Sequence, residues 1–365
     1  MRHSFVISAV ISACASMVFF AVPCEAEGPR MNEIQVIGSH NSYHRSPPAG
    51  VLAVIGKFRT DAVDAWDYTH PPLARQLAQA GLRQFELDVY ADPAGGLFAG
   101  PLGVKLANLS GAKLPPFDPG GLLKKPGFKI LHVPDIDCWS NNPTLESALT
   151  ELRTWSAANP THLPLMVLIE CKDAPHPPLP TRPVVFSRDR LLELETAILA
   201  VLPNEKILRP DDVRKGEATL RDAVTRHGWP ELAETRGRFF FALDNTDVIR
   251  ERYLEGNPSL EGRLLFVSAP DENHPAAAWF KCNDPVRDFK TIRNLVKRGF
   301  LVRTRADGGK PDPAMRDRAF ASGAQWISSD WFSAKTPAAT RVGFANGAMV
   351  RPNPIHGGGI LTIAP

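Results

Sequence analysis

The chain has 365 residues, 44% of them hydrophobic and 22% charged, a globular composition with ample length for a full core. Its net charge of +3 is too small for a nucleic-acid footprint, and no run of Lys or Arg stands out, so a nucleic-acid partner is excluded. The 34 prolines are nearly twice the usual share of ~5% and predict long structured loops.

The chain begins like a secretory signal. Arg2 and His3 give a weakly positive start, and residues 5–22 are apolar and uncharged. Pro23 interrupts that run, and Cys24-Glu25-Ala26 offers small residues at the two positions a signal peptidase reads. A signal peptide over residues 1–26 is expected, cleaved after Ala26, with the mature protein secreted or periplasmic. An uncleaved anchor is the competing reading, since the run is near the lower length limit for a span. Cleavage removes Cys14 and Cys24 and leaves Cys138, Cys171 and Cys282. An odd count excludes a disulfide framework. One bridge, Cys138 to Cys171, or buried free thiols both fit. No metal-type cysteine spacing is present, so zinc is not supported.

Short β-rich runs then alternate with longer amphipathic ones. Strands are predicted at residues 33–38, 82–90, 128–132, 165–170, 238–244, 263–268, 300–305 and 325–329. Helices are predicted at 72–80, with Gly81 as its stop, and at 144–158, 188–202, 220–227, 247–254, 286–298 and 313–322. The 144–158 stretch shows the pattern well, with Leu145, Ala148, Leu149, Leu152 and Trp155 at helical spacing. Eight strands alternating with helices predict an α/β fold, a closed (β/α)8 TIM-type barrel forming a single domain over residues 27–340 with long strand-to-helix loops. An open doubly wound sheet is the runner-up. It lacks the glycine-rich nucleotide fingerprint after the first strand. Residues 44–69 and 91–125, rich in Gly, Pro and Ala, are expected to be ordered loops on the functional face. Residues 341–365 are expected to form an irregular C-terminal segment.

The strand ends carry the chemistry. The first strand runs into Gly38-Ser39-His40-Asn41-Ser42-Tyr43-His44, where Gly38 is expected to let a ligand approach the backbone. Glu86 and Asp88 lie two residues apart in the second strand and so share a face. Two like charges this close need a cation or a raised pKa. His132 ends the third strand, either as a functional or as a structural histidine. Glu170 ends the fourth after four apolar residues and should face a ligand or partner. Lys172 shares its face, and a purely structural Glu170–Lys172 ion pair is the alternative. Asp244 ends the fifth strand, as a substrate contact or as the N-cap of the next helix. Arg303 and Arg305 share a face near the end of the seventh, to hold a phosphate or sugar hydroxyl or to pair with core acids. Taken together, the Asn41 carboxamide and the carboxylates of Glu86, Asp88 and Glu170 make an all-oxygen set suited to Ca2+. His40 and His132 beside such an ion are a pair for acid–base work on a phosphodiester.

These residues resemble phosphatidylinositol-specific phospholipase C in its calcium-dependent bacterial branch, within the phosphodiesterase barrels that include glycerophosphodiester phosphodiesterases. The matching motifs are Gly38-Ser39-His40-Asn41-Ser42-Tyr43, Glu86-Leu87-Asp88, Leu131-His132 and Ile169-Glu170. The resemblance implies Ca2+ held by Asn41, Glu86, Asp88 and Glu170. It implies that His40 stabilises the pentacovalent phosphorane through a phosphate oxygen, and that His132 is the general acid toward the diacylglycerol oxygen. The inositol 2-hydroxyl, activated by the ion and a base such as Glu86, would attack phosphorus to give a cyclic inositol phosphate. Glu170-Cys171-Lys172 is similar to the Glu-x-Lys of the glycerophosphodiesterases, which makes Lys172 a binder of phosphate or of an inositol hydroxyl. Asp244 and Arg303 complete the expected substrate contacts. The implied partner is a phospholipid substrate at a membrane surface, with no protein partner expected. Val51, Leu52, Val54 and Ile55 either dip into the lipid or pack on the barrel. Two rivals stay open: a diesterase on the same barrel acting on glycerophosphodiesters or another phospholipid, and a catalytically silent lipid-binding module.

Overall fold

Among the described residues eleven strands form in chain order: β1 Ile34–Ser39, β2 Gln84–Asp92, β3 Gly127–Ile130, β4 Leu165–Cys171, β5 Ile207–Leu208, β6 Phe239–Leu243, β7 Phe266–Val267, β8 Trp279–Lys281, β9 Leu301–Arg305, β10 Trp326–Ser329 and β11 Val350–Pro352. They belong to a computed structural model that describes residue 1 and residues 28–356. The expected signal segment, apart from Met1, lies outside the described residues. Among the described residues, no helix is long and apolar enough to cross a membrane.

Nine of the strands run parallel: β5 pairs only with β6, and the other eight make the ring. β1 pairs with β2, β2 with β4, β4 with β6 and β6 with β7. On the other side β1 pairs with β10, β10 with β9 and β9 with β8. A parallel bridge between Ser268 and Trp279, backed by the Ala269 amide donating to the Trp279 carbonyl at 3.2 Å, joins β7 to β8 and closes the ring. The predicted α/β barrel is therefore the fold.

The membership of the ring differs from expectation at one strand. Residues 128–132 do not form a barrel strand. β2 overshoots the ring, and β3 returns antiparallel along it, with Val89 opposite Ile130 and Asp92 opposite Gly127. The place left open is taken by β8, only three residues long between Ala276-Ala277-Ala278 and Asn283-Asp284-Pro285. A run that short has no readable period. A second difference lies in the segment from 341, expected to be irregular. Within it β11 pairs antiparallel with β1, Gln35 opposite Arg351.

All seven expected helices form. Leu73–Ala80 ends on Gly81 in the left-handed region (φ 66°), and Leu145–Ala158 starts at Thr144, whose side chain accepts from the Ser147 amide. Three helices arise where loops are expected: Ala49–Gly56, Thr60–Trp66 and Leu102–Leu109. The first, AGVLAVIG, has no polar residue and hence no amphipathic signature. Val51, Val54 and Ile55 are buried in it, and Leu52, partly buried, packs against the same cluster. The three cysteines of the described residues are free thiols.

Side chains alternate along each strand, which sorts the barrel interior into layers. Phe240 of β6 meets Phe266 of β7 (ring centroids 4.2 Å) and, across the barrel, Trp326 of β10 (5.3 Å). This aromatic floor closes the N-terminal end. Register carries the same face upward: Met166 lies beside Phe240, Leu168 beside Glu86, and Glu170 beside Asp88. The interior thus turns from aromatic to charged toward the C-terminal mouth.

Candidate active site and metal centre

Glu86, Asp88 and Glu170 can each bring a carboxylate oxygen within 4.8 Å of the others. Asp88 and Glu170 are register partners on β2 and β4, so the sheet itself sets their spacing. Three acids this close are stable only with positive charge nearby. Lys172 supplies some, its Nζ 3.0 Å from Asp88 Oδ2 and 3.2 Å from Glu170 Oε2. Arg303 supplies more through Nη2, which pairs with Glu86 Oε2. Burial and the Asp88 charge still push Glu170 up to about 8. Glu86 goes the other way: burial would raise it, but Arg303 and His40 hold it below the usual carboxylate range.

Asn41, next to His40 in the chain, lies in the left-handed region (φ 42°), a conformation Asn tolerates better than most residues. Its neighbour Ser42 donates its amide to the Glu86 carbonyl at 3.0 Å. Asn41 Oδ1 and Asp88 Oδ1 are buried and have no hydrogen-bond donor. Orphaned buried oxygens beside three carboxylates fit a hard, oxygen-loving cation, which is what Ca2+ requires.

His40 follows β1 at the same mouth, 21% exposed. Its Nδ1 lies 3.2 Å from both Asp330 oxygens, and Nε2 lies 3.6 Å from Glu86 and 3.4 Å from Arg305 Nη1. Burial works to lower its pKa, but Asp330 and Glu86 outweigh it and the imidazole is raised. His70 Nε2 steadies Asp330 at 3.3 Å.

His132 reaches the mouth by another route. The antiparallel return of β3 carries it back over the barrel, and its carbonyl accepts from the Tyr90 hydroxyl at 3.0 Å. Its Nδ1 sits 2.7 Å from Asp137 Oδ2. Asp137 is fully buried and also meets His44 Nε2 at 2.9 Å. Burial would push the Asp137 carboxyl up, but the two imidazoles hold it below the ordinary range. His132 keeps 22% exposure, so its Nε2 edge is the one left for a ligand.

The remaining expected contacts sit differently. Arg303 is 1% exposed, with one guanidinium nitrogen on Glu86 and another on Asn283 Oδ1, so it acts within the wall of the site. Asp244 is neither open to substrate nor a cap. It pairs with Lys281 Nζ, and Asp247 caps the following helix by accepting from the Ile249 amide at 3.0 Å. Gly38 does not face a ligand; the place of its missing Cβ lies 2.0 Å from Gln84 Oε1. Asp330, Asp137, His44 and Lys281 are site residues the sequence pattern did not single out. Asp330 directly follows the eighth predicted strand, and the rule that finds Glu170 would have found it.

The fold has counterparts among solved structures. A calcium-dependent phosphoinositol-specific phospholipase C from the Gram-negative bacterium Pseudomonas sp. superposes with a TM-score of 0.55 at 13% identity, over 89% of this chain and 95% of that one. A Ca2+-dependent phosphatidylinositol-specific phospholipase C from Streptomyces antibioticus gives 0.53 at 18% identity, over 89% and 99%. No curated protein matches the chain by sequence. The family described as phosphoinositide phospholipase C, Ca2+-dependent, matches residues 29–354. The chain therefore belongs to the Ca2+-dependent phosphoinositide phospholipase C family.

Proposed function

We propose that the protein cleaves phosphatidylinositol into diacylglycerol and a cyclic inositol phosphate at the mouth formed by β1, β2, β4 and β9. The observation that carries this is a pair of histidines, each with its Nδ1 on a buried aspartate, together with an oxygen-only carboxylate cluster. Asn41, Glu86, Asp88 and Glu170 would hold Ca2+. Bound there, the ion supplies Lewis-acid stabilisation of the charge that builds on the phosphoryl group.

The chain's own residues move the protons. Asp137 anchors His132 through Nδ1, which leaves Nε2–H to protonate the glycerol oxygen as its bond to phosphorus breaks. Asp330 anchors His40 in the same way, so Nε2 can take the proton of the attacking inositol 2-hydroxyl. The family resemblance offered Glu86 as that base. Its ion pair with Arg303 favours the charged carboxylate and suits a metal ligand better, so His40, 3.6 Å away, takes the role. Arg305, 17% exposed beside His40, is the cation placed to meet a phosphate oxygen. Lys172, on Asp88 and Glu170, sets the charge of the metal cluster.

We place this activity at a membrane surface, after export and cleavage behind Ala26; sequencing the N-terminus of protein recovered outside the cytoplasm tests the export. Substrate choice is tested with phosphatidylinositol, glycerophosphoinositol and phosphatidylcholine in parallel. Release of diacylglycerol from phosphatidylinositol alone supports the reading. Preferred cleavage of glycerophosphoinositol by water, without a cyclic product, would favour the glycerophosphodiesterase instead.

A further inference from the structure

Beside the mouth lies a groove of about 750 Å³. It forms where the helices Ala49–Gly56, Thr60–Trp66 and Leu102–Leu109 meet residues 175–179, beyond the end of β4. Ile55, Leu106, Ile136 and Leu179 are among its walls, and Arg59 and His176 are the only polar members of its lining. One end is tied to the catalytic centre. Val133, in the wall, follows His132 in the chain, and the Trp66 ring stands edge-on to the His132 imidazole with centroids 5.8 Å apart. Toward solvent, the lining includes Phe58, 77% exposed. A trough of this size falls in the range of ligand sites, and a soluble surface seldom leaves such an apolar stretch without an occupant.

We propose that this groove takes one acyl chain of the diacylglycerol leaving group. The inference rests on the phospholipase C reading and extends it to the lipid half of the substrate. A phospholipase C breaks the bond between phosphorus and the glycerol oxygen, and the acid that protonates this oxygen must stand beside the glycerol. With His132 as that acid, the glycerol and its chains leave the mouth on the His132 side, where the groove begins. Its walls offer an inositol phosphate little: the Arg59 guanidinium is already paired with Asp61 at 2.8 Å, and His176 is a single imidazole among apolar side chains. An acyl chain asks only for apolar surface, and burying each methylene is favourable.

The test uses monomeric substrate, so that attachment to a lipid surface plays no part. Phosphatidylinositols are compared in which one acyl chain is acetyl and the other grows from about four to about eight carbons, in both positional arrangements, below aggregation. The value of kcat/KM should rise about threefold to fourfold per methylene in one arrangement, the fold-change that ~0.8 kcal/mol per buried methylene gives. Leu106→Trp, which fills the groove, should end that rise at a shorter chain. A flat series with turnover intact overturns the groove and leaves the phospholipase C reading standing. Chain-length dependence confined to vesicles also overturns it and marks the apolar surface as a membrane anchor. A steep monomer series that Leu106→Trp leaves unaltered overturns the location. Absence of turnover at every chain length removes the phospholipase C reading and the groove with it.

Discussion

Asp137 decides whether His132 can act as an acid. It is fully buried, it fixes one imidazole nitrogen at 2.7 Å, and it is itself fixed by His44 from the other side. Asp137→Asn keeps the shape and removes the charge and one acceptor. Turnover should fall on the order of 10²-fold, the scale of positioned acid catalysis, while Ca2+ affinity stays within a few-fold. Undiminished turnover would dismiss the Asp137–His132 pair. Arg303 poses the opposite question. If it belongs to the wall, Arg303→Met strands the buried Glu86 carboxylate and costs about 3–5 kcal/mol in urea unfolding. If it were a substrate contact, the substitution would raise KM and leave the unfolding midpoint near its original value.

At the scale of elements, the close approach of β1 to β2 depends on Gly38. A Cβ there would lie 2.6 Å from Gln84 Cβ as well as 2.0 Å from its Oε1, so bending the far end of the glutamine gives no relief. Gly38→Ala should destabilise by about 1–3 kcal/mol, read from thermal unfolding. The junction before β4 carries a pH signal. His162 is buried there, bonded to Ser156 Oγ at 2.8 Å and to the Leu163 carbonyl at 2.6 Å. Burial takes its pKa down to about 4, against an ordinary value near 6.5. The fold thus prefers the neutral ring while the unfolded chain binds the proton. The stability is complete above about pH 6.5 and is lost as pH falls toward about 4, at no more than about 1.4 kcal/mol per unit. His162→Gln should flatten that part of the profile; an unaltered slope would assign it to other groups.

For the whole molecule, the alternation of strands and helices was legible because most barrel strands are continuous apolar runs, as buried parallel strands must be. β8 was hidden because three residues have no period. β3 was legible as a strand, but its direction was not, since an apolar run does not reveal which neighbour it will pair with. The site followed the same logic. His40, Glu86, Asp88 and Glu170 each interrupt or end an apolar run. Asp137 and His44 become partners only through contact across 93 positions of sequence, and Lys281 was lost with its strand. The assembled carboxylate cluster makes folding sensitive to cation. Ca2+ at a hundred times its dissociation constant should stabilise the protein by about 2.7 kcal/mol. Asp88→Asn should lose most of that gain, and an equal gain in the variant would put the ion elsewhere.

The most direct measurement of the central claim is phosphorus NMR of phosphatidylinositol with the protein, in Ca2+, in chelator, and with His132→Ala in Ca2+. A cyclic inositol phosphate resonance that grows only with Ca2+ and an intact His132 is the predicted result. An unchanged phosphatidylinositol signal under all conditions, or a cyclic product that persists in chelator, would contradict the account.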